Sequence, residues 1–119
     1  MIFWRSYYAN RRLVGCGKNL IAISNSIPDW KNPDKIIKEL APEWGIVENL
    51  KHGEISEEEF EKRYYADTLS KLDPWDIALK CDNGIILCYE KSGQFCHRKL
   101  VADWMLKTTG IEVDEYPSF

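Results

Sequence analysis

The stretch "CYEKSGQFCHR" puts two thiols, a carboxylate, an imidazole and a guanidinium within one short segment: Cys88, Glu90, Cys96, His97 and Arg98. A thiol becomes a nucleophile only as the thiolate, which needs positive potential nearby. His97 and Arg98 can supply it, and so can the unpaired N–H groups of a helix that begins at Cys96. The same N–H groups attract phosphate or carboxylate. Cys96 is therefore the candidate nucleophile, with His97 and Glu90 as candidate acid or base. Arg98 is a bidentate clamp for an anion. Gly93 lets backbone approach a ligand closely, and Ser92 and Gln94, beside Lys91, add hydrogen-bonding groups.

Each residue also has a plainer role. Cys88, between Leu87 and Tyr89, reads as a small apolar strand residue, because free cysteine is among the most buried residue types. Cys16 and Cys81 read as structural or incidental. Cys96 reads equally as site and as packing, and a lone Arg98 would be a surface or ion-pairing residue. A metal set of Cys88, Cys96 and His97 lacks the paired Cys-x-x-Cys spacing of common zinc sites. Its fourth ligand would have to be Cys81 or His52, so neither metal nor cofactor is expected. A thiol switch joining Cys88 to Cys96 needs Cα atoms within about 7 Å.

The elements that must position these groups follow from the hydrophobic pattern. "IILCY" is a continuous apolar run of the kind found in strands covered on both faces, and "LIAIS", Leu20 to Ser24, is another. "MIFWRSYYA" reads as a first strand, and "IEVDEY", alternating apolar and acidic residues, as a last one with one covered face. Leu100, Val101, Trp104 and Met105 recur at helical spacing before Gly110. Ser56 and Glu59 form a capping box, with Ile55 as its staple residue, opening a helix to about Leu72 with Phe60, Tyr64 and Leu69 inward. Asp73 caps a short helix from Pro74, and Trp75, Ile77, Ala78 and Leu79 are available to pack. A further short helix is predicted from Pro33 and Asp34 to Pro42, with Ile36, Ile37 and Leu40 as its stripe. The order β, β, α, α, α, β, α, β predicts an α/β fold, a small single domain over 1–119 with a mainly parallel sheet and helices packed against it. Ligands of such sheets collect beyond the carboxyl ends of the strands.

Composition narrows the function classes. The chain has 119 residues, 45% of them hydrophobic and 29% charged, with a net charge of −3, so no basic footprint spreads over the whole surface. Arg11 and Arg12 make only a small basic patch, and the acidic run "EISEEEFEK" reads as a solvated helix face. Trp30 and Trp44 are expected to be core or packing residues rather than stacking platforms. Arg5 interrupts the first apolar stretch and no small-residue cleavage site follows, so a signal peptide is not expected. No segment approaches the ~20 apolar residues of a membrane span. Four cysteines without a secretory signal predict reduced thiols in a cytoplasmic setting.

"ILCYEKSGQFCHRKLVADWM" resembles the signature of the family catalogued as domain of unknown function 488: a strand ending in Leu-Cys-x-Glu, a short loop, then Cys-His-Arg opening a helix. Cys88, Glu90, Cys96, His97 and Arg98 fall on that motif, and "IAISNSIPDW" is similar to the family's first-strand segment. Many members carry an arginine in the polar turn before the proline, where this chain has Ser24, Asn25 and Ser26, so a second positive group is missing there. The resemblance implies a small α/β domain with the motif at the sheet's edge, and it brings no established reaction. A looser likeness to rhodanese-like and phosphatase-like loops lacks the Cys-x5-Arg spacing, since Gln94 and Ala102 stand where arginine would be. These readings together predict an anion- or phosphate-binding protein with thiol-dependent chemistry at the Cys-His-Arg helix start. The partner would be a small anionic ligand or nucleotide, with no membrane involved. A non-catalytic nucleotide or nucleic-acid binding module and a thiol redox switch are the alternatives.

Overall fold

The computed structural model describes residues 1–90 and 95–117. Five strands, β1 (Trp4–Tyr7), β2 (Asn19–Ala22), β3 (Lys35–Ile36), β4 (Gly84–Cys88) and β5 (Asp114–Glu115), form one sheet in the order β3-β2-β4-β1-β5. All four pairings are parallel. Four helices, α1 (Trp44–Lys51), α2 (Glu57–Asp67), α3 (Pro74–Cys81) and α4 (His97–Thr109), complete the fold. A small α/β domain built on a parallel sheet is therefore what the apolar runs produce.

β4 lies at the centre and is buried along its whole length, which is why "GIILC" shows no alternation. Its side chains divide between two cores. Ile86, with Ile21 and Ile23, faces a core built from Ile46, Phe60, Ile77 and Val101, one from each helix. Ile85 and Leu87, with Ala22, face a smaller core closed by Tyr8, Ile27 and Leu13 of a 3-10 turn, Arg11–Leu13, and containing no residue of α1 to α4. The connections from β3 to β4 and from β4 to β5 run one way across the sheet and carry all four helices. Those from β1 to β2 and β2 to β3 run the other way and cover the opposite face. This division is the one right-handed crossovers require.

Ser56 and Asp73 cap their helices as predicted, but the box at Ser56 forms only in half. The Ser56 Oγ accepts from the Glu59 N–H at 3.1 Å, while the Glu59 carboxylate pairs with Arg63 at 3.0 Å rather than closing the box. Asp73 accepts from the Trp75 N–H at 3.0 Å. α2 ends at Asp67 and a 3-10 turn, Leu69–Lys71, completes that segment, with Phe60, Tyr64 and Leu69 all buried. α4 stops at Gly110, whose φ of +79° closes the last turn with a bond to Leu106.

Two expectations are corrected. The segment from Pro33 to Pro42 is not a helix: it forms β3 and a 3-10 turn, Lys38–Leu40. Asp34 explains the difference, because its carboxylate accepts from the Leu20 N–H at 2.7 Å while its own N–H donates to the Leu20 carbonyl at 2.8 Å. These bonds draw Lys35 and the β-branched Ile36 onto the edge of β2. Trp30 and Trp44 are exposed, at 65% and 54%, as are Trp75 and Leu79. Trp44 opens α1, which buries only Ile46 and which no capping residue announces, and the Lys51 ammonium lies 5.5 Å from its ring centre. The motif strand is central in the sheet, so the family motif sits at the sheet's carboxyl edge.

Gly84 starts β4 where no side chain fits. A Cβ there would lie 2.5 Å from Ile21 Cδ1 and 2.9 Å from the Cys81 carbonyl oxygen. Gly84→Ala is expected to destabilise the fold by about 1–3 kcal/mol. Urea unfolding checks this as a lower midpoint at unchanged slope.

Candidate functional site

β4 delivers Cys88 to the carboxyl edge of the sheet, where the Cys88 carbonyl accepts from the Tyr8 N–H at 3.1 Å. The chain then leaves the sheet and returns as α4, with Cys96 in the N-cap position and His97 and Arg98 in the first turn. Cys96 makes no side-chain capping bond, unlike Ser56 and Asp73 at the starts of α2 and α3. Cys88, Cys96, His97 and Arg98 are all buried.

The Cys88 and Cys96 sulfurs meet and are joined, while their Cα atoms stand 7.3 Å apart, just beyond the about 7 Å that a thiol switch requires. Adjacent strand end and helix start bring them together, a proximity that linear spacing across a loop does not reveal. Cys16 and Cys81 are free, and burial pushes the Cys81 thiol up to about 12.

Arg98 is 1% exposed, and its charge is compensated on several sides. Its Nε donates to the Glu115 carboxylate at 2.9 Å, and its Nη1 donates to the Glu90 carbonyl at 2.6 Å and to Cys88 Sγ at 3.0 Å. Glu115 in turn accepts from Arg5 Nε at 3.2 Å, while Arg5 Nη1 donates to the Val113 carbonyl at 2.9 Å. The guanidinium thus fastens α4 to the end of β4 and to β5.

His97 is held just as firmly. Its Nε2 lies 2.8 Å from the Ile23 carbonyl, which can only accept, so Nε2 carries the proton and the Nδ1 lone pair faces Cys96 Sγ at 3.8 Å. The Tyr64 ring meets the imidazole edge-on at 5.7 Å, and the Tyr64 hydroxyl donates to the Leu40 carbonyl at 2.5 Å. Burial lowers the His97 pKa to about 4; the Ile23 carbonyl opposes that shift and the Arg98 charge adds to it. The ring is neutral at pH 7.

A cleft of about 280 Å³ opens at this junction. Cys88, Glu90, Cys96 and His97 line it, opposite the Ser24–Ser26 turn that follows β2. That turn is braced by the Tyr8 hydroxyl, 2.6 Å from Ser24 Oγ, by Ser24 donating to the Ser26 carbonyl at 2.6 Å, and by Asn25 donating to the Pro42 carbonyl at 2.7 Å. Trp44, Val47, Phe60 and Phe95 form an apolar wall, with Lys51 beside it. β2 connects outward to β3 and β4 connects the other way to β5, so the cleft sits where connections diverge, the usual ligand position in open parallel sheets.

Glu90 is exposed at the rim, and its backbone carbonyl, not its carboxylate, is the group Arg98 engages. Arg98 lines a second cleft with Arg5, Glu57 and Glu115, and Cys96 lines both. Ser92, Gly93 and Gln94, with Lys91, lie outside the described residues. Sequence reasoning assigned Cys88 to packing and passed over Lys51 and the apolar wall. The strand end was the available signal for Cys88 and the neighbouring Cys96 for Phe95, whereas Lys51, Trp44, Val47 and Phe60 come from α1 and α2, which meet the site only in three dimensions. The ligand atoms of Cys88, Cys96 and His97 all lie within 4.8 Å of one another; neither Cys81 nor His52 joins that group among the described residues.

The family model described as "Active DUF488-N3 subclade", DUF488-N3a, matches residues 19–109. The chain belongs to the DUF488 family. The match spans the Ser24–Ser26 turn, α1 and the Cys-His-Arg motif, so both walls of the cleft fall inside the DUF488 region. Comparison with curated proteins and with solved structures gave no match. Among the described residues no helix is long and apolar enough to cross a membrane.

Two outcomes follow from this geometry. Arg98→Ala should cost about 3 kcal/mol by denaturant unfolding, and Arg98→Lys should recover less than half, because an ammonium cannot reproduce the planar fork. Since His97 takes up a proton less readily folded than unfolded, its contribution to stability is complete above about pH 6.5 and is lost as pH falls toward about 4. The difference in unfolding free energy between the protein and His97→Gln, measured across that window, should show this slope.

Proposed function

We propose that this DUF488 protein binds a small anionic molecule with an aromatic or apolar group, a nucleotide being the class that matches, and that its thiol pair acts on that ligand. The observation that carries this reading is the cleft at the β2/β4 divergence, which joins an apolar wall to a polar end holding the sulfurs. Trp44 and Phe95 suit a base or other planar group. Lys51 and the α4 N-terminus, which has no side-chain cap, suit a phosphate. The word "active" in the subclade's description agrees with a site of chemistry.

In the reduced state Cys96 is the nucleophile in this reading. His97, neutral and weakly basic, orients its thiol through Nδ1. Glu90 at the rim is the group suited to carry protons, and Arg98 supplies positive potential while holding Cys88 in place. Reduced thiols suit a cytoplasmic setting, where we place the protein. A second reading, a thiol redox switch, is favoured by the Cys88–Cys96 bond itself. A low-molecular-weight disulfide would be reduced to two thiols as the pair gives up two hydrogens and closes.

Calorimetric titration of the reduced protein with nucleoside monophosphates and with inorganic phosphate tests the ligand. A nucleotide should bind at least about tenfold more tightly than phosphate, and Lys51→Ala should weaken it about tenfold. No binding by any nucleotide would sink the proposal. Tighter binding of single-stranded oligonucleotides would replace it with the nucleic-acid module. At neutral pH iodoacetamide should label Cys96 far faster than Cys81, with nucleotide slowing the reaction; equal, slow labelling removes the nucleophile.

A further inference from the structure

We propose that the reduced Cys88–Cys96 pair and His97 form a binding site for one thiophilic divalent metal ion, zinc being the natural occupant, with a fourth position open to the cleft. The donor set is two sulfurs and one imidazole nitrogen, and the three ligand atoms lie within 4.8 Å of one another. In a tetrahedral zinc site, bonds of about 2.3 Å to sulfur and about 2.0–2.1 Å to nitrogen place sulfur and nitrogen ligands roughly 3.6 Å apart. Cys96 Sγ and His97 Nδ1 already stand at 3.8 Å.

The surroundings are those a metal ligand needs. Metal-bound histidine ordinarily donates its other ring N–H to a carbonyl or carboxylate, which fixes the tautomer and aims the free nitrogen. His97 does this through Nε2 to Ile23, leaving Nδ1 pointed at the sulfurs. Thiolate ligands take N–H hydrogen bonds from their surroundings, and Arg98 Nη1 lies 3.0 Å from Cys88 Sγ. The backbone holds the two cysteines 7.3 Å apart at Cα, beyond the usual 4.4–6.8 Å of a disulfide, a spacing that leaves room for an ion between the opened sulfurs. Two thiolates neutralise a divalent ion, so the loaded site adds no net charge to a buried position. All three ligands line the cleft, so a water or a ligand's oxygen can reach the remaining position.

The balance is simple. A phosphine reductant gives two electrons to the Cys88–Cys96 bond and becomes the phosphine oxide; water supplies that oxygen and the two thiol protons. The ion displaces both protons when it binds. Ion binding and nucleotide binding are measured separately, so either can fail without the other.

The test is titration of the phosphine-reduced, folded protein with Co2+, followed by displacement with Zn2+. One Co2+ per chain should bind, with a sulfur-to-cobalt charge-transfer band in the near ultraviolet that zinc abolishes. Cys96→Ser and His97→Ala should each weaken binding at least about tenfold, while Cys16→Ser and His52→Ala leave it unchanged. Zinc-edge X-ray absorption of the unmutated protein gives a readout independent of the variants' folding, expected as two sulfurs near 2.3 Å and one imidazole near 2.0–2.1 Å. A reduced, folded protein with no charge-transfer band, or zinc bound by oxygen ligands alone, overturns the proposal.

Discussion

A full positive charge with 1% exposure has to be compensated from all sides, and the Arg98 guanidinium imposes that demand on the structure around it. Glu115 of β5, the Glu90 carbonyl and Cys88 Sγ each take one of its donors, and Glu115 also binds Arg5 of β1. A packed leucine could fill the same volume, but it could not set the distance between the end of β4 and the start of α4. That distance decides whether Cys88 and Cys96 meet, so the chemistry of the junction depends on the buried guanidinium and its half-buried partner Glu115.

The two faces of the sheet divide the remaining work. All four helices stand on one face, which gives the cleft a wall from α1 and α2 and seats His97 between Ile23 and Tyr64. The opposite face is closed by Tyr8, Leu13, Ile27 and their neighbours. Tyr8 bridges the two regions, since its ring belongs to that smaller core while its hydroxyl braces the Ser24 turn at the cleft. Packing on this smaller face therefore helps to hold the turn that faces the sulfurs.

Burial also selects what the titratable groups can do. Cys81 and His97 are both kept neutral by loss of water, but only His97 has a lone pair aimed at another functional atom. Glu90 keeps its carboxylate in solvent and lends only its carbonyl to Arg98. The arrangement separates groups that hold the site from groups able to exchange protons across it.

Local order was legible in the residues themselves. The apolar run of β4, the caps at Ser56 and Asp73, the helical spacing of Leu100 to Met105 and the terminating Gly110 act over a few residues, where propensity and hydrogen bonding are decided by near neighbours. The placement of Cys96, His97 and Arg98 at a helix start followed from the same short-range rules. The segment after Pro33 has a helical pattern but forms a strand, because Asp34 bonds to Leu20, a partner distant along the chain. α1 lacked a capping signal, and its Trp44 and Lys51 became part of a cleft only when α1 packed against α2 and met the Ser24–Ser26 turn across that cleft. Which face Arg98 occupies, that Cys88 meets Cys96, and that His97 turns Nδ1 toward them all depend on contacts between separate elements. The sequence alone determined the inventory of reactive groups and the elements that carry most of them. Tertiary structure decided their convergence, because strand order and helix packing set distances that linear spacing does not encode.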